Sequence, residues 1–148
     1  NQIFIHIRLF YTYGAGQKHN SLINQLFQKS IVGGEMSLSP CEHYRDYVHV
    51  SEAAEAISRI AQVDQSGIIN LGSGKVILLK EFVKLFWKEL GSHSEKLMFG
   101  FHAVPELEQS QPKSCADLSI LKNRINWTPS LTIEDGIKKT VEQLRLSF

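Results

Sequence analysis

The chain alternates between short apolar runs and segments in which apolar residues recur every three or four positions. The first run, Ile3-Phe4-Ile5-His6-Ile7-Arg8-Leu9-Phe10, is rich in β-branched and aromatic side chains and predicts a strand. Its near-continuous apolarity is that of a strand covered on both faces. Tyr13-Gly14-Ala15-Gly16 supplies the turn residues that end it. Asn20 or Ser21 is placed to cap a helix with Leu22, Ile23, Leu26 and Phe27 on one side, and Gly33-Gly34 stops that helix. Tyr44 to Val50 reads as a second strand. Ser51 reads as the cap of a helix with Ala53, Ala54, Ile57, Ile60 and Ala61 inward.

Gly67 to Gly72 is a short apolar strand bounded by glycines. Leu79 to Leu90 places Phe82, Val83, Phe86, Trp87 and Leu90 at helical spacing, with Gly91 just beyond the end. Lys96 to Phe101 predicts a further strand, and Gln109 to Ser114, with Pro112, a loop. Asp117 opens a short helix that ends near Arg124, and Asn126-Trp127-Thr128-Pro129 is a turn. Thr132-Ile133-Glu134-Asp135 caps a last helix with Ile133, Ile137, Val141 and Leu144 inward. Strands and helices in this order predict an α/β fold containing part of a parallel sheet. No repeat, low-complexity segment or linker divides the chain, so residues 1–148 are read as one unit.

Composition narrows the classes. Hydrophobic residues make up 43% and charged residues 21% of 148, which is globular and enough for a core. A net charge of +1 removes the electrostatic case for nucleic acid or an anionic membrane, so anion binding must come from a local arrangement. No apolar run approaches the roughly 18 residues of a membrane span, and Arg8 interrupts the only stretch resembling a signal peptide. Two distant cysteines, Cys41 and Cys115, build no disulfide framework and fit a reduced, cytoplasmic setting. The chain opens at once on strand-like sequence without a methionine, which suggests a fragment or excised domain.

Several motifs fail on residue type. A dinucleotide fingerprint requires three glycines, but Gly14-Ala15-Gly16 is followed by His19 and Gly72-Ser73-Gly74 by Ile77 at the third position. A phosphate loop fails because Ser73 stands where lysine is required. Cys41, His43 and His49 do not match a zinc spacing, so no metal site is expected. The stripe Phe82, Phe86, Trp87 reads as core, and the scattered histidines as packing or surface residues.

Ordered segments along nearly the whole chain resemble the extended short-chain dehydrogenase/reductase family of sugar-nucleotide epimerases and dehydratases. Arg8-Leu9-Phe10-Tyr11-Thr12-Tyr13-Gly14-Ala15-Gly16-Gln17, followed by Asn20-Ser21-Leu22-Ile23, is similar to the family's R-x-F-N-V-Y-G-P-G-Q and S-L-I-P. Tyr44-Arg45-Asp46-Tyr47-Val48-His49-Val50 resembles R-D-[FY]-[VI]-[HY]-V, and Ile69-Asn70-Leu71-Gly72-Ser73-Gly74 resembles Y-N-I-G-S-G. Ala116-Asp117-Leu118-Ser119 through Trp127-Thr128-Pro129 resembles A-D-x-S to W-x-P, and Leu131, Glu134, Gly136 and Ile137 match the closing helix. The F-Y-x-Y-G-x-G-Q form is similar to enzymes of dideoxyhexose pathways acting on CDP- or dTDP-sugars.

The resemblance implies a Rossmann-like extended fold, of which this chain is the C-terminal part: the last parallel strands and the small substrate-binding subdomain. It also implies that the NAD-binding half, with its glycine fingerprint and Tyr-x-x-x-Lys pair, precedes Arg8; none of the four tyrosines here has a lysine four positions on. No catalytic residue is therefore expected in this chain. NAD or NADP belongs to the full-length parent, without tight binding to this chain alone, and a homodimer would form through helices of the preceding half. By resemblance Leu9 and Phe10 lie near the nicotinamide, and Tyr11, Asn20, Ser21, Leu22, Met36, Leu38 and Arg45 contact a nucleotide-diphosphate sugar. Arginine suits a diphosphate because its guanidinium is planar and permanently charged; the structural alternative for Arg45 is an ion pair with Asp46 or Glu42. Tyr11 replaces the family's asparagine, Ala15 its proline, and Leu107 an upstream arginine. The other reading of the chain is a non-catalytic binding or interaction module derived from the same family.

Overall fold

The structure is a computed structural model that describes residues 2–93, 96–104 and 113–147. The elements are β1 (Ile5–Leu9), β2 (Tyr11–Tyr13), α1 (Leu22–Val32), β3 (Met36–Ser37), β4 (Tyr44–His49), α2 (Val50–Ile60) and β5 (Gly67–Leu71). They continue with β6 (Val76–Leu78), α3 (Leu79–Glu89), β7 (Leu97–Met98), α4 (Ser119–Ile125) and α5 (Ile133–Leu146). β1 and β5 pair in parallel, from Ile5 opposite Gly67 to Leu9 opposite Leu71. β2 runs parallel to β4 with Tyr11 opposite Tyr47, and β6 runs antiparallel to β4 with Arg45 opposite Ile77. β3 and β7 form a short parallel pair.

Two cores follow from these sheets. In the first, Ile5, Ile7, Ile69 and Leu71 of the β1–β5 pair meet Ala53, Ala56 and Ile60 of α2, Leu121 of α4, and Trp127. In the second, Tyr13 and Tyr47 meet Phe82, Val83, Phe86 and Trp87 of α3, Ile23, Leu26 and Phe27 of α1, and Ile137 and Val141 of α5. The expected two-sided cover of the first strand is found on one side: His6, Arg8 and Ile68 on the opposite face are exposed.

The expected caps form at both ends of the chain. The Ser21 hydroxyl accepts the Asn24 N–H at the start of α1, and the Thr132 hydroxyl accepts the Asp135 N–H at the start of α5. α2 departs from expectation. Its cap is His49, whose Nδ1 accepts the Ser51 N–H at 3.2 Å, and the strand passes into the helix with no loop between. Its inward face is Glu52, Ala53, Ala56 and Ile60, so Ala54, Ile57 and Ala61 are exposed. The helix turns this way because the Glu52 carboxylate accepts the N–H groups of Ser130 and Leu131. Three further elements differ. Tyr11–Tyr13 is a second strand, so Tyr13, expected to open the turn, ends a strand instead; Val76–Leu78 is a strand directly before α3; and the strand expected over 96–101 shrinks to Leu97–Met98. Most of the 109–114 loop, and Leu107, lie outside the described residues.

Candidate functional site

β4 sorts its residues by alternation: Arg45, Tyr47 and His49 face one side, Asp46 and Val48 the other. On the second side Asp46 is fully buried. Its carboxylate accepts the Ser73 N–H at 2.6 Å, the Ser73 hydroxyl at 2.7 Å, the Gly74 N–H at 3.0 Å and the Ala116 N–H at 2.9 Å. This knot explains why glycine stands at position 72. A Cβ there would crowd both the Asp46 carboxylate and Ala116. The Gly72-Ser73-Gly74 turn thus serves Asp46 and needs no ligand.

On the first side Arg45 is only 5% exposed. One terminal nitrogen donates to the Tyr44 carbonyl at 3.1 Å, and the guanidinium carbon lies 4.9 Å from the centre of the Tyr11 ring. Neither Asp46 nor Glu42 pairs with it. Among the described residues the ion pairs are Arg59–Glu55 and Lys84–Glu81, both exposed and within single helices. A cation removed from water without an anion costs several kcal/mol, and an incoming phosphate or carboxylate recovers much of that. Tyr11 is 44% exposed, and its ring lies 5.9 Å from that of Tyr47, which stacks on Phe82 at 4.3 Å.

The other expected site residues fall into three groups. Leu9 and Phe10 occupy the C-terminal end of β1, where the Phe10 N–H donates to the Leu71 carbonyl. That end of a parallel pair is where α/β folds bind cofactors. Asn20 and Met36 share an open, largely apolar cavity of about 470 Å³ with His19, Gln25, Gln28, Lys29 and Val32; Arg45 is not part of it. Ser21 uses its hydroxyl as a cap, Leu22 packs against the core, and Met36 and Leu38 are core side chains. The structure therefore joins Tyr11 to Arg45 and Asn20 to Met36.

Three features were not expected from sequence. Tyr13 is buried with its hydroxyl against the Cα of Gly136, where any Cβ would collide with it. Burial, with Glu52, Glu134 and Asp135 nearby, pushes this phenol up from its ordinary value. Gly136 was the available signal, since a glycine inside a helix costs about 1 kcal/mol and calls for a packing reason. His49 has Nδ1 on the Ser51 N–H and 2.8 Å from the Ser51 hydroxyl, which in turn accepts from Lys139 at 3.0 Å. Its Nε2 is buried with no hydrogen-bond partner among the described residues. Burial, then Lys139, holds this imidazole below its ordinary value, so it is neutral with the proton on Nε2. Asp46 and Glu52 are the third feature: two buried carboxylates spent on backbone N–H groups. Among the described residues no group of histidine, cysteine and acidic side chains is arranged to hold a metal, and no helix is long and apolar enough to cross a membrane.

A parallel strand pair flanked by helices, with a small sheet beside it, is a Rossmann-like arrangement. The sequence model of GDP-mannose 4,6 dehydratase matches residues 2–140, and the chain belongs to this family of sugar-nucleotide epimerases and dehydratases, within the extended short-chain dehydrogenases/reductases. It is 28% identical over 139 residues to the CDP-abequose synthase of Salmonella muenchen, covering 92% of this chain and 46% of that protein. Its fold matches that of a dTDP-glucose 4,6-dehydratase from Bacillus anthracis in complex with NAD, with a TM-score of 0.83 at 21% identity, over 96% of this chain and 44% of that one. It also matches a UDP-glucose 4-epimerase from Thermotoga maritima with UDP-glucose, with a TM-score of 0.83 at 21% identity, over 97% of this chain and 46% of that one. The chain thus spans less than half the length of each of these proteins.

Proposed function

We propose that this chain is the nucleotide-sugar-binding portion of an NAD(P)-dependent sugar-nucleotide epimerase, dehydratase or 4-reductase, and that Arg45 binds the diphosphate. The observation that carries this reading is a guanidinium 95% removed from solvent with no acidic partner among the described residues. A diphosphate offers paired oxygens to the guanidinium's fork of N–H donors. Leu9 and Phe10, at the C-terminal end of β1, lie on the cofactor side. The base would occupy the cavity shared by Asn20 and Met36, whose apolar lining suits a ring. NAD or NADP would supply hydride transfer from a preceding half carrying the glycine fingerprint and catalytic tyrosine. The exposed face of the β1–β5 pair, with Ile68, and the exposed Phe4 beside it would be covered by that half.

Calorimetric titration with UDP, CDP, dTDP and GDP tests the reading. At least one should bind, and Arg45→Ala should weaken it by roughly 10- to 100-fold, the range for losing a charge-assisted bidentate contact. Binding that is indifferent to Arg45 removes the basis of the proposal.

A further inference from the structure

We infer that the cleft between β4, β6 and the start of α5 is a binding site for a small amino alcohol, which sets its ammonium group on Glu52 and its hydroxyl oxygen on His49. The cleft holds about 350 Å³, and neither Arg45, Tyr11 nor Asn20 lines it, so the inference stands apart from the diphosphate reading. Its polar lining sorts into atoms that serve the fold and atoms that do not. The Ser73 hydroxyl is spent on Asp46, and the Thr132 hydroxyl caps α5 and donates to Asp135. Glu52 accepts the Ser130 N–H, the Ser130 hydroxyl and the Leu131 N–H, all on Oε1. Two buried side chains then keep an unused atom. Glu52 is 7% exposed, and among the described residues its Oε2 has no hydrogen-bond partner and no cation pairs with it. His49 is 1% exposed, and its Nε2 has no hydrogen-bond partner among the described residues.

What each atom lacks defines the ligand. The His49 Nδ1 accepts the Ser51 N–H, so the proton sits on Nε2, and this N–H requires an acceptor. The free oxygen of a carboxylate requires a donor, and a charged donor serves it best. The field of the cleft agrees: Glu52, Glu134 and Asp135 act together on the Tyr13 phenol and, with burial, push it up from its ordinary value. Lys75 is the basic side chain that lines the cleft, and it is exposed to water. The rings of Tyr13, Tyr47 and His49 line the cleft too. Tyr13 meets Tyr47 at 87° and His49 at 84°, and such rings suit a short carbon chain and attract a cation. One molecule that carries both a cation and a neutral acceptor is an amino alcohol. An anion would instead face Glu52 and Glu134.

The test is calorimetric titration of the full chain, near neutral pH, with three probes of equal length: 3-aminopropan-1-ol, butylamine and propane-1,3-diol. Wild type should bind the amino alcohol most tightly, by about 10-fold over each of the other two, the scale of one hydrogen bond to a charged or buried group. The His49 Nε2–H resonance should shift as the amino alcohol saturates the site. Glu52→Gln keeps an acceptor for Ser130 and Leu131 and removes the charge; it should bring the amino alcohol down to the affinity of the diol. His49→Asn keeps a capping side chain and should bring it down to that of butylamine. Thermal midpoints report whether each variant is folded, and the wild-type order is read without any variant. No binding by any probe, a diol or an amine that binds as tightly as the amino alcohol, or folded variants that keep the wild-type order would each overturn the inference. None of these results touches the Arg45 reading.

Discussion

Arg45 and Asp46 are neighbours on one strand, both buried and both charged, yet their surroundings are opposite. Asp46 accepts four hydrogen bonds that join β4 to the Ser73–Gly74 turn and to Ala116. Among the described residues Arg45 has a single carbonyl and the face of a ring. The protein needs the first charge in order to fold. The second has no acidic partner among the described residues, and in the reading proposed above a bound diphosphate supplies one. A strand that alternates sides can thus hold one residue for architecture and the next for recognition with no chemical cross-talk between them.

The largest expected effect breaks the architectural side. Asp46→Ala leaves the Ser73, Gly74 and Ala116 N–H groups facing a buried void, so unfolding in urea should show a loss of about 3–5 kcal/mol. Arg45→Met, in contrast, should leave the urea midpoint unchanged or raised, because it removes a buried charge that has no acidic partner among the described residues and keeps the apolar stem. Equal losses in the two variants would erase the contrast.

A smaller effect sharpens the packing on the Arg45 side of the sheet. Gly136→Ala drives a methyl group into the Tyr13 hydroxyl and should cost about 1–3 kcal/mol, the range for overpacking. Removing that hydroxyl with Tyr13→Phe should recover part of the loss, and a double-mutant cycle measures the coupling. Additive losses would mean that the glycine serves another purpose.

The smallest effect is one proton. The folded His49 is held below its ordinary value of 6.5, mainly by burial and then by Lys139, with Glu52 opposing. Above pH 6.5 both folded and unfolded chains carry it neutral, and it adds no pH dependence. As pH falls below 6.5 the unfolded chain takes up the proton first, so stability is lost on acidification. The Tyr13 ring on β2 also meets it edge-on, at 5.3 Å between ring centres. His49→Asn keeps a capping side chain without the titration. The stability gap between the two proteins should therefore shift toward the variant between pH 7 and 5; a constant gap would show that folding leaves the proton affinity of the imidazole unchanged.

Much of this was legible in the sequence, for physical reasons that also mark where legibility ends. α1, α3 and α5 carry strong helical periods and local caps, so Ser21 and Thr132 could be placed from neighbours three residues away. α2 was misread in its cap and its face because both answers come from distant contacts. Glu52 is drawn inward by backbone groups near residue 130, and His49 outcompetes Ser51 as cap once Lys139 engages the serine. β6 was hidden because Val76-Ile77-Leu78 runs straight into an amphipathic helix, and only pairing with β4 makes it a strand. At the site, the residue type and position of Arg45 were readable. The Tyr11 ring above it was not, since Tyr11 and Arg45 meet only when β2 lies beside β4.

In the function proposed above, the Arg45 guanidinium binds a diphosphate. Following its Nε–H resonance by NMR during titration with the nucleoside diphosphate that binds tests this most directly. The account predicts a saturable shift of that signal that tracks the calorimetric affinity. Saturable binding with the Arg45 signal unmoved would contradict it.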